Sequence, residues 1–161
     1  SINEFLIIFK KNRANKMTDI YSLPKNGGEY EAKKIGSLNT QSIITGGDYD
    51  QENELLILTS TISFDEYYIL KIKDFSFKNK KDYKIEMYEI PIGKTQVEAV
   101  KIIDSNTFWI TSEDEKSSSS ARLITSRIFS QPYMRARKGS DEDEEGSFPR
   151  NIFSAIVRAF R

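Results

Sequence analysis

The sequence predicts an all-β fold made of consecutive four-stranded antiparallel blades of a β-propeller. The predicted ring is incomplete, and a short amphipathic helix follows it at the C-terminus. Three observations lead to this prediction. The segment ITGGDYDQENELLILTS at 44–60 returns as VEAVKIIDSNTFWITS at 97–112, aromatic residues make up 12% of the chain, and short apolar segments alternate with polar or glycine-rich turns. Aromatic and β-branched residues favour strands, and a repeat near 50 residues with four strands is typical of a propeller blade.

The predicted strands follow the same order in each copy of the repeat. Glu54–Thr59 aligns with Asn106–Thr111 at an offset of 52 residues and with Glu4–Phe9 at an offset of 50. Turns are predicted at 26–28, 50–53 and 104–106, where Asn, Asp and Gly cluster. The predicted strands are residues 4–9, 17–24, 29–36, 42–50, 54–59, 66–74, 82–91, 95–104, 106–111 and 121–129.

These strands make up strands two to four of one blade, a complete second blade and up to three strands of a third, all within 1–129. Propellers close with four to eight blades, and a single blade cannot bury both faces of its sheet. We therefore expect the remainder of the propeller to come from the same polypeptide or from another chain. The chain begins with Ser1 and has no signal-peptide pattern, so we expect a processed start or a piece of a longer protein. The alternative, two similar hairpins in a sandwich, is disfavoured because three copies agree in strand order.

Composition excludes several classes of function. Lys and Arg number 24, and so do Asp and Glu, so no overall field favours nucleic acid. The chain contains no His and no Cys, which excludes Ser-His-Asp triads, Cys-His pairs and imidazole or thiolate metal sites. The apolar runs are too short to span a bilayer. We predict no catalytic residue, metal or cofactor.

Several short segments resemble a known group of proteins. They are LPK at 23–25, IGS at 35–37, ITGGDYD at 44–50 and PIGKTQVEA at 91–99. These segments resemble the last blades of six-bladed propellers in secreted or lipid-anchored proteins of Bacteroidota, over about residues 3–125. The resemblance implies a ring-shaped fold and an exported location (periplasm, cell surface or medium), and it implies no reaction. Val97-Glu98-Ala99 stands where that group more often has Thr-Glu-Gly, and nothing after about Ile128 has a counterpart.

Four polar residues are candidates for a binding site in the channel. The first strand of each propeller blade lines the central channel, so Thr45 and Glu98, equivalent in the repeat, are predicted to face it, with Asp48 and Lys101 nearby. Such groups can hold a sugar, a metal or a peptide. The alternative is that they satisfy backbone groups of the narrow inner strands.

An acidic alternation at Asp48, Asp50 and Glu52 matches the first three ligands of a calcium loop. Asn53 in the sixth place and Thr59 in the twelfth break the EF-hand pattern, which requires Gly and Glu there. The acidic residues are therefore interpreted as turn residues.

The last part of the chain differs in character. Residues 130–148 are predicted to be a charged flexible linker, with RARKG followed by SDEDEEG. Residues 149–161 are predicted to form an amphipathic helix that binds protein. About 13 residues are marginal as a free helix in water, and three arginines are few for a membrane surface. Docking on the propeller body or in a partner groove is therefore favoured over membrane contact, and an appended tag is a further alternative. The apolar face of this helix is Ile152, Phe153, Ile156 and Phe160.

Two functions of different classes remain. The first is a non-catalytic binding or scaffold module of an exported propeller protein that recognises a partner protein or a glycan. The second is a hydrolase or lyase with a carboxylate or metal site in the channel. The absence of His and Cys favours the first.

Overall fold

The computed structural model describes residues 5–63, 66–77, 82–91, 96–113, 122–128 and 154–156. In these ranges the chain is all-β, as predicted, and no helix occurs there. The strands are β1 (Phe5–Lys11), β2 (Thr18–Pro24), β3 (Lys33–Leu38), β4 (Ile43–Asp50), β5 (Leu55–Ser63), β6 (Glu66–Ile72), β7 (Glu86–Ile90), β8 (Gln96–Ile102), β9 (Thr107–Glu113), β10 (Arg122–Arg127) and β11 (Ser154–Ile156).

The strands form three antiparallel sheets in which neighbours along the chain are neighbours in the sheet. Sheet 1 contains β1 to β3, sheet 2 contains β4 to β7, and sheet 3 contains β8 to β11.

The turns follow the predicted chemistry. The Asp50 carboxylate accepts hydrogen bonds from the backbone N–H groups of Glu52 and Asn53 at 3.0 and 3.2 Å, and Asp104 closes the equivalent turn between β8 and β9 in the same way. Asp50 is therefore a turn residue, as interpreted from the sequence, whereas the same interpretation is wrong for Asp48, which lies within β4 and pairs with Ile57.

The three sheets share one register. Leu58 of β5 pairs with Gly47, and Ile110 of β9, which follows Leu58 by 52 positions, pairs with Val100. Gly47 and Val100 differ by 53 positions, so the predicted offset of 52 holds for β5 and β9, whereas the first strands β4 and β8 are offset by 53. When β1 and β5 are aligned at the predicted offset of 50, the paired row Lys11, Thr18 and Leu38 of sheet 1 falls on the paired row Thr61, Tyr67 and Ile90 of sheet 2.

Two apolar cores lie between neighbouring sheets, and alternate residues of β5 contribute to each. Leu56 and Leu58 pack with residues of sheet 1, whereas Leu55 and Ile57 pack with residues of sheet 3. Successive side chains of a strand point to opposite faces, so β5 is buried on both sides. This double burial explains why β5 reads as a continuous apolar run instead of an alternating one.

The third strand of sheet 1 begins later than predicted. The sequence predicts a strand at 29–36, but β3 runs from Lys33 to Leu38. Its pairing with β2 ends where Ser22 meets Lys33, and Pro24, the last residue of β2, has no N–H to extend the ladder. Residues 29–32 therefore lie outside the ladder, although β2 itself continues to Pro24.

The C-terminal helix predicted at 149–161 is wrong at its centre. Ser154–Ile156 form β11 and pair with Arg127, Ser126 and Thr125 of β10. The outer edge of β10 offers unpaired backbone groups that a strand can satisfy, whereas a free helix of about 13 residues is marginal. The remainder of 149–161 and the predicted linker at 130–148 lie outside the described residues.

Candidate functional site

The four polar candidates lie on β4 and β8, the first strands of sheets 2 and 3. Thr45 and Asp48 belong to β4, and Glu98 and Lys101 belong to β8. The two strands contact each other along the edge where both sheets begin. The structure therefore brings all four predicted residues to one region.

Thr45 and Glu98 occupy equivalent positions at two β-bulges. The register of β4 against β5 shifts by one residue at Thr45, and the register of β8 against β9 shifts by one residue at Glu98. A bulge re-aims a side chain out of the regular ladder. The Thr45 hydroxyl donates to Oγ1 of Thr59 at 3.1 Å, whereas the Glu98 side chain is exposed. Equivalent bulges in the two sheets therefore carry a hydroxyl at Thr45 and a carboxylate at Glu98.

The Asp48 carboxylate joins the two inner strands. Its Oδ2 accepts a hydrogen bond from Nζ of Lys101 at 2.8 Å and one from the backbone N–H of Ile102 at 2.9 Å. Burial raises the pKa of Asp48, but the hydrogen bonds from Lys101 and Ile102 outweigh burial and hold the pKa below its usual value. Two predicted binding candidates, Asp48 and Lys101, therefore bond to each other between sheets.

The backbones of β4 and β8 approach closely at Gly46. A Cβ added there would lie 2.8 Å from the backbone oxygen of Glu98 and 2.9 Å from Cα of Ala99. Both atoms belong to the main chain of β8, so relieving the contact would require the strand itself to move. Close approach of two backbones is a common reason for glycine in a strand, and it is the reason here.

The repeat extends to buried polar positions. Ser60 of β5 and Ser112 of β9 pair with Ile44 and Val97 at equivalent places in sheets 2 and 3. Both hydroxyls are buried, and neither has a hydrogen-bond partner among the described residues. An unsatisfied buried hydroxyl costs about 1–3 kcal/mol. Sheets 2 and 3 therefore each bear the cost of one unsatisfied serine hydroxyl, at equivalent positions of β5 and β9.

Of the residues predicted for the partner-binding helix, only the backbone of Ile156 is described. It pairs with Thr125 in the β10–β11 ladder. Ile152, Phe153 and Phe160 lie outside the described residues.

A cleft of about 490 Å³ opens between β3 and the connection from β6 to β7. Its apolar floor includes the buried residues Ile20, Leu38 and Phe75, and Gly36 of β3 lies on one wall. The opposite wall is fixed, because the Tyr83 hydroxyl donates to the backbone oxygen of Ser76 at 2.7 Å and accepts from its N–H at 3.1 Å. The two walls belong to different sheets.

An aromatic cluster forms the side of this cleft that belongs to sheet 2. The rings of Phe75 and Phe77 meet edge to face with centroids 4.7 Å apart, and the Tyr83 ring lies 4.7 Å from Phe75. Sequence reasoning missed the cleft. The available signal was the group of aromatic residues at 75, 77 and 83 in an otherwise polar connection.

Lys71 is a second feature that sequence reasoning missed. It lies on β6 with 4% of its surface exposed. Its Nζ donates to the backbone oxygen of Ser105 and, at 2.8 Å, to Oδ1 of Asn106. Burial, followed by the charge of Lys73, lowers the pKa of Lys71. Lys71 therefore links sheet 2 to the turn between β8 and β9. The residue pattern of β6 does not indicate these hydrogen bonds.

Among the described residues, no group of three or more acidic side chains could hold a metal ion. No helix in the same part of the chain is long and apolar enough to cross a membrane. No protein-family model, curated protein or solved structure matches the chain.

Proposed function

We propose that the chain is a non-catalytic binding or scaffold module, formed by consecutive blades of an exported β-propeller protein. We further propose that it recognises an extended segment of a partner protein in the cleft beside β3. The blade arrangement rests on the repeated sheets, and the binding site rests on the cleft. The exported location rests on the resemblance to secreted and lipid-anchored propellers alone.

The contacts of the middle sheet support the blade arrangement. Sheet 2 packs against sheet 1 on one face and against sheet 3 on the other. A two-sheet sandwich covers only one face of each sheet, whereas blades around an axis cover both. The contact between β4 and β8, the first strands of their sheets, is also what neighbouring inner strands of a propeller make.

The contacts of the inner strands support a structural role for the polar candidates. Thr45 is bonded to Thr59, and Asp48 is bonded to Lys101 and to the backbone of Ile102. Groups committed to the protein in this way are less available to a ligand. No contact in the described ranges favours the alternative, a hydrolase or lyase with a carboxylate or metal site in the channel, and that alternative stays a prediction.

The single observation that carries the binding proposal is the cleft along the edge of sheet 1, which has apolar residues on its floor and polar residues such as Ser37 and Asp82 around them. In the described part of the chain, β3 is the last strand of its sheet and pairs with β2 alone. An extended peptide can add a strand to such an edge, and its alternate side chains would then enter the cleft. The volume of about 490 Å³ is within the range of ligand pockets.

Gly36 offers a way to block the cleft without disturbing the fold. A Cβ added at Gly36 meets nothing within 4 Å, and the same holds for Gly27, which lies outside the cleft. Gly36→Trp should therefore fill the cleft, and Gly27→Trp is the matched control. Peptides selected from a random library on the wild-type protein should bind Gly36→Trp about 10-fold more weakly or worse, which corresponds to about 1.4 kcal/mol.

Binding that is unchanged in Gly36→Trp, or equally weakened in Gly27→Trp, would refute the cleft as the binding site. A glycan array probed in parallel tests the other class of ligand. Glycan binding that Gly36→Trp abolishes, without any selected peptide, would keep the cleft and replace the partner protein by a glycan.

A further inference from the structure

Gly36 of β3 takes the place of an aromatic residue in the repeated pattern of the sheets. Gly36 pairs with Ile20 of β2, and Tyr88 of β7 pairs with Ile69 of β6. With sheets 1 and 2 aligned on their equivalent rows, Ile20 falls on Ile69, and Gly36 therefore falls on Tyr88. Sheet 1 thus has a glycine where sheet 2 has a tyrosine.

The Tyr88 ring fills space between sheets 2 and 3. Tyr88 is 6% exposed and belongs, with Ile69 and Ile128, to the apolar core that these two sheets share. Its hydroxyl donates to Oε2 of Glu86 at 3.1 Å, so the polar end of the ring is bonded as well. An aromatic side chain therefore closes the interface between sheets 2 and 3 at this position.

The cleft beside β3 lies at the same position between sheets 1 and 2. A Cβ added at Gly36 would meet no atom within 4 Å. On the floor of the cleft, the N–H of Phe75 donates to the backbone oxygen of Glu54 at 2.8 Å. In sheet 3 the N–H of Ile128 donates to the backbone oxygen of Asn106, the equivalent of Glu54, at 2.9 Å. Phe75 therefore corresponds to Ile128, and the cleft corresponds to the space beside Ile128 that contains the Tyr88 ring.

We propose that the cleft binds an aromatic side chain of the partner segment, and that this ring occupies the space that Tyr88 fills in the next interface. The inference rests on the binding function proposed above and adds the chemistry of the residue that enters the cleft. Glycine in a strand often marks a place where another group approaches closely, and an aromatic side chain on a neighbouring strand can cover a glycine at a sheet edge. The β2 neighbour of Gly36 is the aliphatic Ile20, so the ring comes from the strand added on the other side.

The aromatic cluster in the cleft favours a ring over an aliphatic side chain. The rings of Phe75 and Phe77 meet at 87° with centroids 4.7 Å apart, and the Tyr83 ring lies 4.7 Å from Phe75. Aromatic rings in edge-to-face or offset arrangements attract one another beyond the effect of the area they bury. The hydrogen bonds of the Tyr83 hydroxyl to the backbone of Ser76 hold this ring in place before a ligand arrives. An aromatic ligand therefore joins an existing cluster, whereas a leucine gains only the burial of its apolar surface.

Peptides selected from a random library on the wild-type protein test the chemistry of the occupant. They should share one Phe, Tyr or Trp. Replacing this residue with Leu in a selected peptide should weaken binding about 2- to 12-fold, which is the range expected for aromatic pairing. Replacing it with Ala should weaken binding about 30-fold or more, as the removal of an anchor does. The matched control replaces a residue outside the shared position of the same peptide with Ala and should leave binding nearly unchanged.

Gly36→Phe tests the same space without a ligand. The new ring should enter the cleft from β3, as the Tyr88 ring enters its interface from β7. In urea unfolding, the equilibrium constant for unfolding should be about 10-fold or more lower than that of Gly27→Phe, because the ring at position 36 becomes buried. Gly27→Phe is the matched control, since Gly27 is exposed, has open space and lies outside the cleft. The selected peptides should bind Gly36→Phe at least about 10-fold more weakly than they bind Gly27→Phe.

Two results would overturn the inference alone. Selected peptides that bind equally well with Leu in place of the aromatic residue would leave the cleft as a site for any apolar segment. A folded Gly36→Phe variant that is no more stable than Gly27→Phe would show that the space does not fit a ring. If no library peptide binds the wild-type protein, the proposed function fails and the inference fails with it. If Gly36→Phe does not fold, the peptide series on the wild-type protein decides alone.

Discussion

Replacing Asp48 with Ala removes the carboxylate that joins β4 to β8, and we expect the free energy of unfolding to fall by about 2 kcal/mol. The carboxylate accepts one hydrogen bond from the backbone of Ile102 at 2.9 Å and one from Lys101 at 2.8 Å. A hydrogen bond to a charged group contributes about 1.5–3 kcal/mol, whereas an exposed ion pair contributes about 0.2–1 kcal/mol. The side chain of Lys101 is 66% exposed, so the bond to Ile102 should carry most of the effect.

Urea unfolding of the wild type, Asp48→Ala, Lys101→Ala and the double variant, at one protein concentration, measures the two contributions. Lys101→Ala should cost less than about 1 kcal/mol. The pKa of Asp48 is lowered in the folded state, so its contribution is complete above the ordinary value of 3.8 and is lost as the pH falls through the lower folded-state pKa. The difference between wild type and Asp48→Ala should therefore narrow in acid.

Two outcomes would refute this reasoning. Equal losses for Asp48→Ala and Lys101→Ala would assign the stabilisation to the ion pair instead of the backbone hydrogen bond. An Asp48→Ala variant as stable as the wild type, or more stable, would return Asp48 to the role of a ligand-binding residue, since residues kept for function are often held at a cost in stability.

Three further predictions test other contacts. Gly46→Ala should cost about 1–3 kcal/mol in urea unfolding because its Cβ meets the backbone of β8, and an equal loss in the control Gly36→Ala would contradict this. Burial and the charge of Glu86 raise the pKa of Tyr88 to about 12. Its contribution to stability is therefore complete below its ordinary value of 10.0 and is lost as the pH rises toward 12, and Tyr88→Phe should flatten this alkaline loss in unfolding curves. Ala155→Pro should break the β10–β11 ladder and speed hydrogen exchange of the β10 amides, and unchanged exchange would refute the pairing.

The strands and turns could be predicted because their signals are local. The apolar run of β5, the alternation in β9 and the turn carboxylates Asp50 and Asp104 act through neighbours in sequence. The repeat strengthened the prediction, because the same local pattern occurs in each sheet. The helix was predicted wrongly at 154–156 because the helical spacing of the apolar residues is also local, whereas the pairing of Ile156 with Thr125 depends on an edge that lies 31 residues earlier in the chain.

Contacts between sheets could not be predicted in this way. The repeat identified Asp48 and Lys101 as equivalent, but equivalence does not tell which residues of neighbouring copies touch. The hydrogen bond between Asp48 and Lys101 forms because the backbones of β4 and β8 lie close together at Gly46. The sequence shows the glycine but not how close the two strands are. The cleft beside β3 and the burial of the Lys71 ammonium group also arise from the distance between neighbouring sheets. The residue pattern of a single strand does not indicate that distance.

The bulges at Thr45 and Glu98 bear on how such a chain can diversify. In each inner strand the bulge is the extra residue, and the ladder resumes on both sides of it with the same pairing. A substitution there, or even its deletion, leaves every other residue of the strand on its original face. At other positions of these strands a deletion would shift the ladder by one residue and turn the following side chains to the other face. Thr45 and Glu98 are thus the points at which successive copies can acquire different chemistry while the architecture stays the same, as the change from a hydroxyl to a carboxylate already illustrates.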